Sequence, residues 1–128
     1  MQASDLSAFL ADNQDNFCST GVPEILTDLL EKRNLSKAAL ARQSCTSEIY
    51  LHQIFSGRRN PTRNRLLCLC FGLSATLDEA QELLKLCGHA PLYPKIRRDS
   101  IIMFGLSHNS SLFEINDKLF ENNEDTLF

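Results

Sequence analysis

The side chains able to do chemistry in this sequence gather between Ser47 and Arg65. Ser47, Glu48, Ile49, His52, Gln53 and Ser56 are the positions left outward when Leu51 and Ile54 of the same helical pattern face inward. They combine hydrogen-bond donors, acceptors and one branched apolar group, the repertoire that reads base edges in the major groove of a duplex. Arg58, Arg59, Arg63 and Arg65 follow directly as the densest basic cluster of the chain. Guanidinium groups at the exit of such a helix suit phosphate oxygens; the alternative is a solvated loop leading into the next helix. His52 either meets a base or is simply an exposed helix histidine.

Other chemistries fit poorly. The five cysteines, Cys18, Cys45, Cys68, Cys70 and Cys87, are odd in number and lack a pairing rhythm, which points to reduced thiols in a cytosol. Cys68 and Cys70 stand two apart in a helical pattern and so point about 200° apart, which excludes a metal clip on that helix. Together with Cys87 they read as small core residues. His52, His89 and His108 are isolated, and no Cys/His spacing matches zinc. No Ser/His/Asp arrangement or phosphate-cradling glycine loop occurs, so neither an enzyme nor a cofactor is expected. The N-terminus is polar and acidic, unlike a secretory signal. No apolar run approaches the roughly 20 residues that span a bilayer, so a cytoplasmic protein without membrane contact is expected.

The elements that must position these residues are helical. Period-two alternation is missing, apolar residues recur at three and four, and the expectation is an all-α chain. At 128 residues with 43% apolar content, one domain or one domain with an appendage can bury a core. Residues 3–12 read as a short helix and residues 13–21 as a polar connection. Pro23 suits the first turn of a helix over residues 23–33, ended by Asn34. Ser36 caps a helix that stops near Ser44, and Thr46 or Ser47 caps the next, with Leu51 and Ile54 inward and Gly57 at its end. Pro61-Thr62 opens a nearly all-apolar helix over residues 63–73, expected to be the most buried. Thr76-x-x-Glu79 is a capping box for a helix ended by Gly88. Residues 89–95 form a Pro-rich linker. Residues 96–106 and 112–120 read as two further helices, the second opened by the capping box Ser111-x-x-Glu114. Arg97-Arg98-Asp99 marks a helix start with Asp99 as a local cap or partner. Residues 122–128 read as a frayed acidic tail. Phe71-Gly-Leu-Ser74 recurs as Phe104-Gly-Leu-Ser107, each before a capping box, which implies two successive helical hairpins or a chance likeness of short helices.

Charge follows this division. Residues 24–70 carry eight Lys/Arg against four Asp/Glu, whereas residues 71–128 carry five against nine. A basic middle between acidic ends fits a DNA-binding module with polar flanks, or merely an uneven solvated surface.

The unit Leu35-Ser36, Leu40-Ala41, Ser47, Tyr50-Leu51, Gln53-Ile54, Gly57-Arg58-Arg59-Asn60-Pro61-Thr62, Leu66-Leu67, Leu77-Asp78-Glu79 resembles the lambda-repressor-like, or Xre-type, helix-turn-helix family over about residues 24–86. The resemblance implies a five-helix domain, here residues 23–88, with residues 1–22 before it and an extra C-terminal helical hairpin, residues 96–121, after it. It implies double-stranded DNA as the partner, a homodimer reading palindromic half-sites, base contacts from Glu48, Ile49 and Gln53, and phosphate contacts from Lys37, Ser47, Arg58 and Arg59. His52 and Arg63 join these sets as neighbours. Three departures qualify the pattern. Cys45 stands where the family's turn has glycine. Glu48 can accept from cytosine N4 and Ile49 can meet a thymine methyl, yet a carboxylate near phosphates is repelled unless paired. Gln53 is the one standard base reader, with adenine as its natural target.

The expected function is transcriptional regulation by sequence-specific DNA binding. The competing expectation is a protein-interaction adaptor that keeps the scaffold and docks a partner through Tyr93, Phe104, Phe113 or Phe120 on the C-terminal hairpin. The hairpin can equally serve as a dimer interface or cover the DNA-facing surface.

Overall fold

A computed structural model describes residues 18–128 of the chain. Among the described residues there are seven helices and no strand: α1 (Cys18–Lys32), α2 (Lys37–Gln43), α3 (Glu48–Phe55), α4 (Arg63–Gly72), α5 (Leu77–Leu86), α6 (Arg97–Ser107) and α7 (Leu112–Glu121). The protein is all-α, as its periodicity requires. The expected helix over residues 3–12 lies outside the described residues.

Helix starts follow the sequence closely, because capping is local chemistry. Ser36, Ser47, Thr62, Thr76 and Ser111 each accept a hydrogen bond from the backbone N–H three residues on. Both capping boxes close, with Glu79 Oε1 accepting from Thr76 N at 2.8 Å and Glu114 Oε1 from Ser111 N at 3.0 Å. Helix α1 departs from expectation. It starts at Cys18 and carries Pro23 inside it, so residues 18–21 are not a connection and Pro23 does not open the helix. Asn34 ends α1 in the left-handed conformation, φ 55°.

Helix α4 is the axis of the core. Every residue from Leu66 to Gly72 is buried, and α2, α5 and α7 all pack on it. Helix α1 lies against α3 and α5, and α6 bridges α5 and α7. Gly72 is where α2 approaches most closely: a Cβ there would lie 2.9 Å from Ser44 Cβ and 3.0 Å from Leu40 Cδ1. Two helical hairpins, α4–α5 and α6–α7, do follow one another, but the repeated tetrapeptide does not mark equivalent positions. The shared turn superposes Leu73-Ser74-Ala75-Thr76 on His108-Asn109-Ser110-Ser111, with the same three closing backbone bonds. Phe71-Gly-Leu-Ser74 and Phe104-Gly-Leu-Ser107 therefore sit out of register by two residues.

The linker is tied down rather than loose. His89 Nε2 lies 2.9 Å from the Pro61 carbonyl, and Leu92 exchanges two hydrogen bonds with the Gln81 amide at 2.7 and 2.9 Å. The tail is also ordered, contrary to its acidic composition. Leu127 is buried and its N–H donates to Asn116 Oδ1 at 2.7 Å, while Arg98 Nε donates to the Asp125 carbonyl at 2.8 Å. Leu127 docks the segment together with Phe128, and Asn116 and Arg98 satisfy the backbone groups that burial removes from water.

Candidate nucleic-acid interface

Helices α2 and α3 and the turn between them present the site. Leu40 and Ala41 anchor α2 in the core, and Leu51 and Ile54 do the same for α3. With those two positions inward, the 3.6-residue repeat turns Glu48, Ile49 and His52 outward. All three are exposed, Ile49 at 75%. The turn keeps its tight form without a glycine: Cys45 itself adopts φ 52°, and Thr46 N donates to the Ala41 carbonyl at 3.0 Å. Ser44 Oγ donates to the Leu40 carbonyl at 2.6 Å, which satisfies the buried hydroxyl locally.

Tyr50 and Phe55 are half-buried on the two margins of the inward stripe, and each carries a cation. Lys37 Nζ stands 5.1 Å from the Phe55 ring centre. The Arg59 guanidinium stands 5.0 Å and that of Arg65 5.8 Å from the Tyr50 ring centre. Such contacts hold a flexible cation beside the helix while leaving its outer donors in water. Gly57, at φ 79°, ends α3 and turns the chain so that the Arg58 and Arg59 N–H groups both donate to the Gln53 carbonyl, at 2.9 and 3.2 Å. Arg59 Nε then donates to Gln53 Oε1 at 2.8 Å. Arg58 is exposed in the exit loop. Ser47 is exposed but its oxygen already caps α3, accepting from Tyr50 N at 3.1 Å.

Arg63 is used differently from the expectation. Its guanidinium donates to the carbonyls of Ala90 at 3.0 Å and Pro91 at 3.4 Å, and pairs with the buried Asp99 at 3.1 Å. It braces the C-terminal hairpin, so its guanidinium is engaged within the fold. Arg65 lies on the α3 side instead, over Tyr50 and donating to the Cys45 carbonyl at 3.3 Å. The difference follows from helix geometry: two residues apart on α4, the two arginines point about 200° apart, so one faces α3 and the other faces the linker. The sequence shows both in one basic cluster; only the direction of α4 separates them.

The buried thiols offer no competing chemistry. Burial pushes Cys68 up to about 11 and Cys70 up to about 12, so both stay protonated near neutrality. Cys87 is buried as well.

On the far hairpin, Phe104, Phe113 and Phe120 are exposed, Phe120 at 76%. Phe104 stacks on His108 with ring centres 3.9 Å apart, and Phe113 meets Phe128 edge-on at 5.8 Å. The hairpin packs chiefly on α4 and α5, so the outer face of α3 remains open. No helix of the described residues is long and apolar enough to cross a membrane. No known family model, curated protein or solved structure matches the chain.

Proposed function

We propose that the protein is a sequence-specific, double-stranded DNA-binding transcriptional regulator of the Xre type, acting in the cytoplasm as a homodimer, with α1–α5 as the DNA-binding scaffold and α6–α7 as an added hairpin. The observation that carries this reading is the placement of α3. Its inward residues Leu51 and Ile54 are 1% exposed, its outward residues Glu48, Ile49 and His52 face water, and Lys37, Arg59 and Arg65 are held along its margins. A helix with base-competent side chains outward and cations at its borders is shaped for a groove walled by phosphates. Lys37, Ser47, Arg58 and Arg65 contact phosphate; Glu48, Ile49, His52 and Gln53 face the bases.

Selection of bound fragments from random duplex DNA at about 150 mM salt, where the Debye length is about 8 Å and diffuse attraction is screened, tests the proposal. An enriched motif, with affinity falling steeply as salt rises, supports it. Retention of no DNA by the folded protein overturns it.

A second reading has its own observation. The exposed Phe104, Phe113 and Phe120 all lie on the C-terminal hairpin, which suits a protein partner. Under that reading the chain is an adaptor. Nanomolar binding to a defined duplex that is unchanged by Phe113→Ser with Phe120→Ser would leave this surface without a role in DNA reading.

A further inference from the structure

Arg59 is exposed, yet its side chain does not hang free as a loop arginine's would. It folds back onto α3, where three contacts define its pose: its N–H donates to the Gln53 carbonyl, its Nε donates to Gln53 Oε1, and its guanidinium lies over Tyr50. The donation from Nε uses up one side of the guanidinium. What remains free is the end-on pair, Nη1 and Nη2, of a guanidinium held by Gln53 Oε1 and the tyrosine ring. Arg58, adjacent in the same loop, has no side-chain partner among the described residues.

We propose that Arg59 is a guanine-reading residue and Gln53 the residue that positions it. This inference rests on the DNA-binding reading above. In the major groove, guanine presents two adjacent acceptors, O6 and N7, and no donor on that base; adenine presents one acceptor and one donor. The Arg59–Gln53 pair offers only donors outward, because the amide oxygen that would accept from adenine N6 is turned to Arg59. The pair therefore matches guanine. A phosphate contact needs no such pose, since a mobile cation follows the backbone. A guanidinium held in place loses less rotamer freedom on binding and gains selectivity for a planar two-acceptor edge.

The test compares bound-fragment selection and duplex titrations for the wild-type chain, Arg59→Ala, Arg59→Lys, Gln53→Ala and Gln53→Glu, each checked for helical content and melting temperature. The wild-type motif is expected to contain an invariant guanine in each half-site. Arg59→Ala and Arg59→Lys should each lower discrimination for that guanine by about tenfold to hundredfold. Gln53→Ala should lower it too, with the salt slope unchanged. Gln53→Glu keeps an acceptor for Arg59 Nε and should retain the guanine preference, which direct reading by the Gln53 amide would lose. A motif unaltered in Arg59→Ala, with affinity reduced uniformly and the salt slope reduced by about one, makes Arg59 a phosphate contact and overturns this inference alone. Failure of the wild-type protein to retain any duplex overturns the DNA-binding reading and this inference with it.

Discussion

Arg63 and Asp99, 36 residues apart in sequence, form an ion pair at 3.1 Å in which the Asp99 side chain is 5% exposed and that of Arg63 24% exposed. Asp99 also accepts from Tyr93 N at 3.1 Å. The pair locks the start of α4 to the start of α6 through the linker. Removing one member of a buried pair leaves the other charge unpaired. Asp99→Ala should destabilise the fold by on the order of 3 kcal/mol, seen as a lower urea midpoint. A midpoint within experimental error of wild type would show that water replaces the carboxylate without cost.

Under the proposed function, the two α4 arginines separate binding from stability. Arg65→Ala should weaken binding to all duplex sequences and lower the salt slope by about one, leaving the melting temperature nearly unchanged. Arg63→Ala should do the reverse, lowering the melting temperature first. Equal effects of both on DNA affinity in folded protein would contradict the assignment.

Cys45 holds a left-handed conformation, φ 52°, at which a side chain costs about 1–2 kcal/mol. Glycine relieves that cost and adds unfolded-state entropy. Cys45→Gly should therefore raise stability by a net of about 0.5–1 kcal/mol, measured by thermal melting. A loss instead would mean that the packing of the half-buried thiol outweighs the backbone term.

Partial burial of the Glu79 carboxyl favours its neutral form, but the Thr76 N–H, the Arg33 guanidinium at 2.8 Å, the Thr76 hydroxyl and Lys32 outweigh it and hold the group below the ordinary glutamate value. A folded-state pKa below the unfolded one contributes stability above the unfolded value, near about 4.3, and that contribution is lost as pH falls through the lower folded value. The urea midpoint should drop on acidification below about pH 4.3, and Glu79→Gln should be less stable than wild type at neutral pH while showing a shallower acid drop. Parallel pH curves for the two proteins would remove Glu79 from the account.

The docked tail gives a prediction that its composition would not. Leu127 is 4% exposed beside Cys68, whose Sγ lies 3.8 Å from the Leu127 carbonyl. Leu127→Ala should cost about 2–3 kcal/mol, and amide exchange at Leu127 should be protected in wild type. Rapid exchange there would mean that the segment is open in solution.

Much of the molecule was legible one turn at a time. Caps at Ser36, Ser47, Thr62, Thr76 and Ser111, the stop at Gly57 and the apolar run of α4 are local statements, because a cap or a buried face is specified within a few residues. Sequence alone therefore determined that the chain is all-α, where α2–α7 begin, and which side of α3 looks outward. It also exposed the turn problem at Cys45, though not its solution.

Tertiary structure decided everything that depends on which distant group a long side chain reaches. It sent Arg63 to Asp99 and Arg65 to Tyr50, folded Arg59 onto Gln53, moved the paired hairpins two residues out of step with their repeated tetrapeptide, and seated Leu127 under α7. Arginine side chains and the segment after α7 have many conformers of nearly equal local energy, so packing partners far along the sequence choose among them.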